Sequence, residues 1–179
     1  MKIEDTISSG SVSVNNIRTL QEYAKKVSLS MVKPIVVDIG TSVGTSAIAL
    51  ALAMPHIRVL TVDPNYNGKS TENFKGMGVA DRITYFQMTS EEFSKTCPLI
   101  EMCFIDGEHS YAGVKRDIEG IVKKVRRGGY VLFHDRNLYF NSVGKAIEEY
   151  EDELYAFIKE TDGRIEDPKE GSVYVGRIL

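Results

Sequence analysis

Residues 35–53, IVVDIGTSVGTSAIALALA, constrain the fold more than any other stretch of this chain. Ile35, Val36, Val37 and Ile39 form a short, β-branched apolar run around Asp38, the signature of a buried strand. Gly40, Ser42 and Gly44 then turn the chain into an alanine- and leucine-rich segment long enough for a helix. Glycines at such a junction let the backbone approach a ligand closely, and the free N–H groups of the helix start point at it. Asp38 falls at the carboxyl end of the strand, the edge where open α/β sheets bind ligands. A tight strand–helix turn with no ligand is the plain alternative.

The rest of the chain repeats this alternation. Ile17, Leu20, Ala24 and Val27 mark one face of a helix over about 16–28, with Asn15 or Asn16 as its cap. Further strands are predicted near 57–63, 82–87, 99–105 and 130–134. Helices are predicted over 70–77, from Ser90, from Ser110 and from Ser142 to about Glu151. Val114, Ile118, Ile121, Val122 and Val125 carry the helix after Ser110 toward Arg126 and Arg127, with Gly128 as its terminator. Strands near 154–160 and 172–178 lack a helical pattern between them and read as an antiparallel edge pair, with Asp162, Gly163, Pro168 and Gly171 in the turn. The fold class is therefore α/β: a Rossmann-like seven-stranded sheet, mostly parallel with an antiparallel last strand, and helices on both faces. Residues 1–30 are expected to form an N-terminal arm or lid with a helix, and 31–179 a single domain.

Composition narrows the function. A net charge of −3 with no basic block argues against a nucleic-acid partner and for a small-molecule one. The only cysteines, Cys97 and Cys103, fit a reducing, cytoplasmic setting. The start MKIEDTISSG does not read as a signal peptide, and no apolar run is long enough to span a membrane.

The turn after the first strand matches several motifs imperfectly. The dinucleotide fingerprint GxGxxG lacks its second glycine, and a phosphate loop lacks its lysine. Gly40–Gly44 matches the hydrolase nucleophile elbow GxSxG literally. That elbow normally follows several strands, and here too little chain precedes it. What remains, D-x-G-x-x-x-G-x-S, resembles the first motif of class I S-adenosylmethionine (SAM)-dependent methyltransferases. Asp63 and Asp106 each follow a later strand, and Asp135 follows a fifth, so with Asp38 four carboxylates line one sheet edge. Such a row suits a cationic, donor-rich or metal-bound ligand.

Residues 105–120, IDGEHSYAGVKRDIEG, and 128–135, GGYVLFHD, resemble a small class I methyltransferase group with a D-G-x-H-x-Y motif after strand four and H-D after strand five. The region also looks like the catechol- and caffeoyl-type O-methyltransferases. They bind a divalent cation through an Asp after strand four and an Asp-Asn pair after strand five. Asp106 and Asp135 match the aspartates, whereas Arg136 replaces the asparagine, leaving Asn137 or His134 as the third ligand. The resemblance implies a cofactor site of Asp38, Gly40, Thr41, Ser42, Gly44, Ser46, Asp63, Met88, Thr89 and Asp106. It also implies a catalytic set of Asp106, His109, His134 and Asp135, with SAM and a magnesium ion as cofactors. An imidazole with an ordinary pKa suits general-base work on an acceptor hydroxyl.

Each assignment has a structural alternative. Asp63-Pro64 is also a turn starter, Met88 a core filler, the histidines helix caps or carboxylate partners, and Asp135 a salt-bridge partner of Arg136 or Arg116. Tyr66, Tyr111, Tyr139 and Phe140 are candidate acceptor walls. The short capping segments make a homodimer a candidate assembly. The competing functions are a nucleotide-binding oxidoreductase using NAD and a non-catalytic SAM-binding domain.

Overall fold

The computed structural model describes residues 1–7, 12–135, 142–151, 153–157 and 173–179. Helix α1 spans Val14–Ser30 and buries Ile17, Leu20, Ala24 and Val27. Its cap is Ser13, whose hydroxyl accepts from the Asn16 N–H. The expected caps, Asn15 and Asn16, both lie inside the helix, and the Asn16 amide meets His134 instead. Strand β1 (Ile35–Ile39) leads through the glycine turn into α2 (Thr45–Ala53). Then come β2 (Arg58–Val62), α3 (Gly68–Gly76), β3 (Ile83–Phe86), α4 (Ser90–Ser94) and β4 (Ile100–Ile105). Helix α5 (Tyr111–Gly120), β5 (Val125–His134), α6 (Ser142–Glu149), β6 (Tyr155–Phe157) and β7 (Val173–Ile178) complete the order.

The sheet runs β3-β2-β1-β4-β5-β7-β6. Six of these strands have four or more residues, and β6 is a three-residue edge piece. Strands β1 to β5 pair in parallel, and β7 runs antiparallel between β5 and β6. Residues 158–172, which include the expected turn residues, lie outside the described ones. The chain leaves β1 toward β2 on one side and returns to β4 on the other. That reversal opens a crevice above the carboxyl ends of β1 and β4.

Two apolar layers hold the sheet. One packs α1, α2 and Phe74 of α3 against Val36, Val59, Met102 and Leu132. The other packs Phe93 of α4, α5 and α6 against Val37, Cys103, Val131 and Phe133. Cys97 and Cys103 are buried free thiols, and burial pushes Cys97 up to about 11. Truncating a fully buried side chain such as Leu20 to Ala costs about 2–5 kcal/mol. Among the described residues no helix is long and apolar enough to cross a membrane.

The end of α5 differs from the sequence expectation. The helix stops at Gly120, a 3-10 turn covers Val122–Lys124, and Arg126, Arg127 and Gly128 belong to the start of β5. Val125 pairs with Ile100, but the next pairing is Tyr130 with Met102, so the residues between loop out of the ladder. Buried Glu101 draws them there. It accepts from Arg126 Nε at 3.0 Å and from the Ile35 N–H at 2.7 Å. The apolar period continues through Val122 and Val125 because both face the same core after the helix has ended.

Candidate active site

The turn after β1 is built by close backbone approach. Gly40 has φ +97, and a Cβ there would lie 2.1 Å from the Asp106 carbonyl oxygen. Ser42 also adopts a left-handed φ of +46. Its N–H donates to Asp63 Oδ2 at 3.0 Å, while the Asn65 N–H donates to Oδ1 at 2.8 Å. The Asp63 carboxylate is thereby fixed at the end of β2, facing the crevice.

Asp38 is fully buried beneath the turn. Thr61 Oγ1 donates to it at 2.6 Å, and Thr61 in turn meets Thr41 Oγ1 at 2.7 Å. Burial pushes the Asp38 carboxyl up to about 7, against the lowering effect of the Thr61 and Ser46 hydroxyls.

A cavity of about 700 Å³ lies over this edge. Of the residues marked from sequence, Gly40, Ser42, Ser46, Asp63, Thr89, Asp106 and His109 line it. Asp38, Thr41 and Gly44 support the turn from beneath, Gly44 as the cap of α2 backed by Phe74. Met88 does not line the cavity but packs on the second apolar layer, so it takes the core-filling role. Val12, Asn65, Ser90, Glu91, Glu108, Arg116 and Asp117 also line the cavity, and the motifs did not mark them. Asp117 was detectable as a polar residue interrupting the apolar face between Val114 and Ile118. Burial pushes its carboxyl up to about 6, against the Ser90 hydrogen bond that lowers it. Five carboxylates on the wall (Asp63, Glu91, Asp106, Glu108, Asp117) face one guanidinium, Arg116, already paired with Glu108 at 2.6 Å. The cavity therefore favours a cationic, donor-rich ligand.

At one end of the cavity the four expected catalytic residues meet. Asp106 Oδ1 lies 3.1 Å from His109 Nε2 and 3.0 Å from His134 Nδ1. Asp135 Oδ1 lies 3.3 Å from His134 Nδ1, and its Oδ2 lies 3.8 Å from His109 Nε2. Asp135 sits in the left-handed region at φ +57, which turns its carboxylate back toward the cluster. Burial would raise Asp106, yet the two imidazoles hold it below the usual carboxylate range. For His134, burial lowers the pKa, but Asp106 and Asp135 outweigh it and push it up to about 9.

The two histidines differ in access. His109 lines the cavity. His134 is buried, with Nε2 2.8 Å from Asn16 Nδ2. Arg136, Asn137, Tyr139 and Phe140 lie outside the described residues. Tyr66 packs edge-on against Tyr85, and the Tyr111 hydroxyl donates to Glu149.

Residues 37–136 match the model of a methyltransferase-domain family, more than half of the chain. The chain belongs to this methyltransferase family. Its function is SAM-dependent methyl transfer, and the oxidoreductase and hydrolase alternatives give way to it. No curated protein matches the sequence. Among solved structures, cofactor-bound Rv0187 from MTB is similar at 18% identity and TM-score 0.76, over 98% of this chain and 85% of its own. The O-methyltransferase TomG from Streptomyces achromogenes, solved with SAM, shares 16% identity over 98% of this chain and 84% of its own, TM-score 0.73. An rRNA methylase from Streptococcus thermophilus shares 15% identity over 91% and 93%, TM-score 0.69. At such identities these likenesses speak for the α/β methyltransferase fold alone.

Proposed function

We propose that this methyltransferase transfers the SAM methyl group to an oxygen of a small hydroxylated acceptor. The observation that carries this reading is the double position of Asp106. It lines the cavity that suits SAM, and it stands at hydrogen-bond distance from both imidazoles of the polar cluster. Cofactor and acceptor chemistry would then meet at one residue.

In this reading the Gly40–Ser42 turn holds the amino-acid part of SAM, and Asp63 accepts from the ribose hydroxyls. Thr89, Ser90 and Glu91 border the adenine end. The acidic wall favours the sulfonium form of the cofactor over its neutral product. SAM held there would supply the methyl group to an acceptor oxygen, the new C–O bond replacing the C–S bond with the electron pair left on sulfur. Without a cation in the cluster, the acceptor proton would pass to His109, the imidazole that lines the cavity.

The cluster also fits a divalent cation. Asp106, His109, His134 and Asp135 each offer a ligand atom within 4.8 Å of the others, and buried His134 Nδ1 and Asp135 Oδ1 make no regular hydrogen bond. A cation held by Asp106 and Asp135 would supply Lewis acidity, lowering the pKa of an acceptor hydroxyl.

Calorimetry with SAM, its demethylated product and NAD tests the cofactor, and a turnover screen of small hydroxylated acceptors, with and without magnesium, tests the reaction. SAM binding with turnover is the expected result. NAD binding without SAM binding would reject the reading, and SAM binding without turnover on any acceptor would favour a binding module.

A further inference from the structure

We propose that the Asp106–His109–His134–Asp135 cluster binds a first-row transition dication of the manganese, iron, cobalt or zinc kind, with both imidazoles as ligands and Asn16 as the outer partner of His134. The inference concerns the site of the proposed methyl transfer but does not depend on which acceptor is methylated.

The donor set is the first argument. Magnesium prefers an all-oxygen octahedron, whereas imidazole nitrogens suit the later first-row ions. The catechol- and caffeoyl-type resemblance implies oxygen ligands from an Asp-Asn pair. Here the position after Asp135 is Arg136, and the described residues bring two imidazoles to the site instead.

The spacing is the second. All four donor atoms lie within 4.8 Å of one another. Donors around a tetrahedral ion with bonds of about 2.1 Å stand about 3.4 Å apart. The contacts of 3.0 and 3.1 Å from Asp106 Oδ1 to the two imidazoles and of 3.3 Å from His134 Nδ1 to Asp135 Oδ1 lie near that value, and the second Asp135 oxygen stands 3.8 Å from His109 Nε2.

The third is the state of the buried atoms. His134 and Asp135 are 5% and 6% exposed, and His134 Nδ1 and Asp135 Oδ1 both turn into the cluster without a regular hydrogen bond. Buried polar atoms left in this way are costly unless a ligand completes them.

Asn16 supplies the fourth. A histidine that binds a metal through one nitrogen usually donates its other N–H to an oxygen, which fixes the ring. The Asn16 amide stands 2.8 Å from His134 Nε2, and turned about its last bond it presents its oxygen there.

The test uses the full chain, stripped with a chelator and titrated with cobalt(II) chloride while visible ligand-field bands are recorded. Zinc, manganese and magnesium chlorides then compete. One equivalent of cobalt with visible bands is expected, displaced by zinc and not by comparable magnesium. His109→Asn and His134→Gln should each weaken cobalt binding at least tenfold, and Asn16→Leu by about 10–100-fold. Circular dichroism checks folding, and half-buried His109 provides the variant least able to disturb it. No cobalt binding, magnesium binding as tight as cobalt, or a folded His109→Asn that binds cobalt like the parent would each overturn the inference. SAM calorimetry on the same samples separates the two readings. SAM binding without metal binding rejects only the metal, while metal binding without SAM binding rejects the proposed cofactor site.

Discussion

Asn16 Nδ2 lies 2.8 Å from His134 Nε2, joining the first helix to the end of the fifth strand across 118 positions of sequence. Helix α1 thus does more than cover the sheet. It occupies the nitrogen of His134 that faces away from Asp106 and leaves Nδ1 turned toward the carboxylates. His109, a quarter exposed and placed on the cavity wall, is the more accessible imidazole.

Asp135→Asn should lower turnover on a methylated acceptor at least a hundredfold with SAM affinity changed less than threefold. Asparagine tolerates the left-handed backbone at φ +57, so the fold should persist. What the substitution removes is one carboxylate charge from the cluster, outside the cavity wall. Steady-state kinetics beside SAM calorimetry checks this, and unchanged kcat would discard Asp135 as part of the centre.

Ser42 occupies a glycine-like place at φ +46. Ser42→Gly should keep both the fold and SAM binding. Ser42→Val should cost about 1–2 kcal/mol, because a β-branched side chain fits poorly in that region. Thermal unfolding of the two variants compares them directly, and equal melting temperatures would contradict the strain argument.

Gly40→Ala is expected to be far worse. Its Cβ would fall 2.1 Å from the Asp106 carbonyl oxygen, a backbone atom that cannot move without shifting β4. The same shift would displace the Asp106 side chain. Loss of SAM binding together with a lower melting temperature is the expected pair of results, and SAM affinity equal to the parent's would refute this close approach.

The legible parts of the sequence were those where one local cause dominated. Ile35–Ile39 was readable to the residue because a short β-branched run met a glycine turn. Asp106, His134 and Asp135 were readable as strand-end residues because β4 and β5 are parallel neighbours. The misreadings share another cause, a distant partner overriding a local rule. Asn16 looked like a helix cap but is drawn to His134, and the α5 pattern ran past the helix because Val125 faces the same core from a strand. Glu91 enters the cavity wall through the placement of α4, which no local motif encodes.

Asp38 offers a test through pH. Burial raises its carboxyl from 3.8 to about 7 in the folded protein. The folded state therefore holds this proton over a range where the unfolded chain has released it. A raised carboxyl pKa favours the fold at low pH, and that stability is lost as pH rises from about 4 to about 7. The full effect is ~4 kcal/mol at most. Asp38→Asn has nearly the same shape, can still accept from Thr61, and carries no titrating proton. Urea unfolding of both proteins at pH 4, 5.5, 7 and 8 should show the variant gaining stability relative to the parent as pH rises, with little further gain above about 7. A difference that stays flat across this range would mean that Asp38 titrates like an exposed carboxylate, and that the turn over it is more open to water than its burial implies.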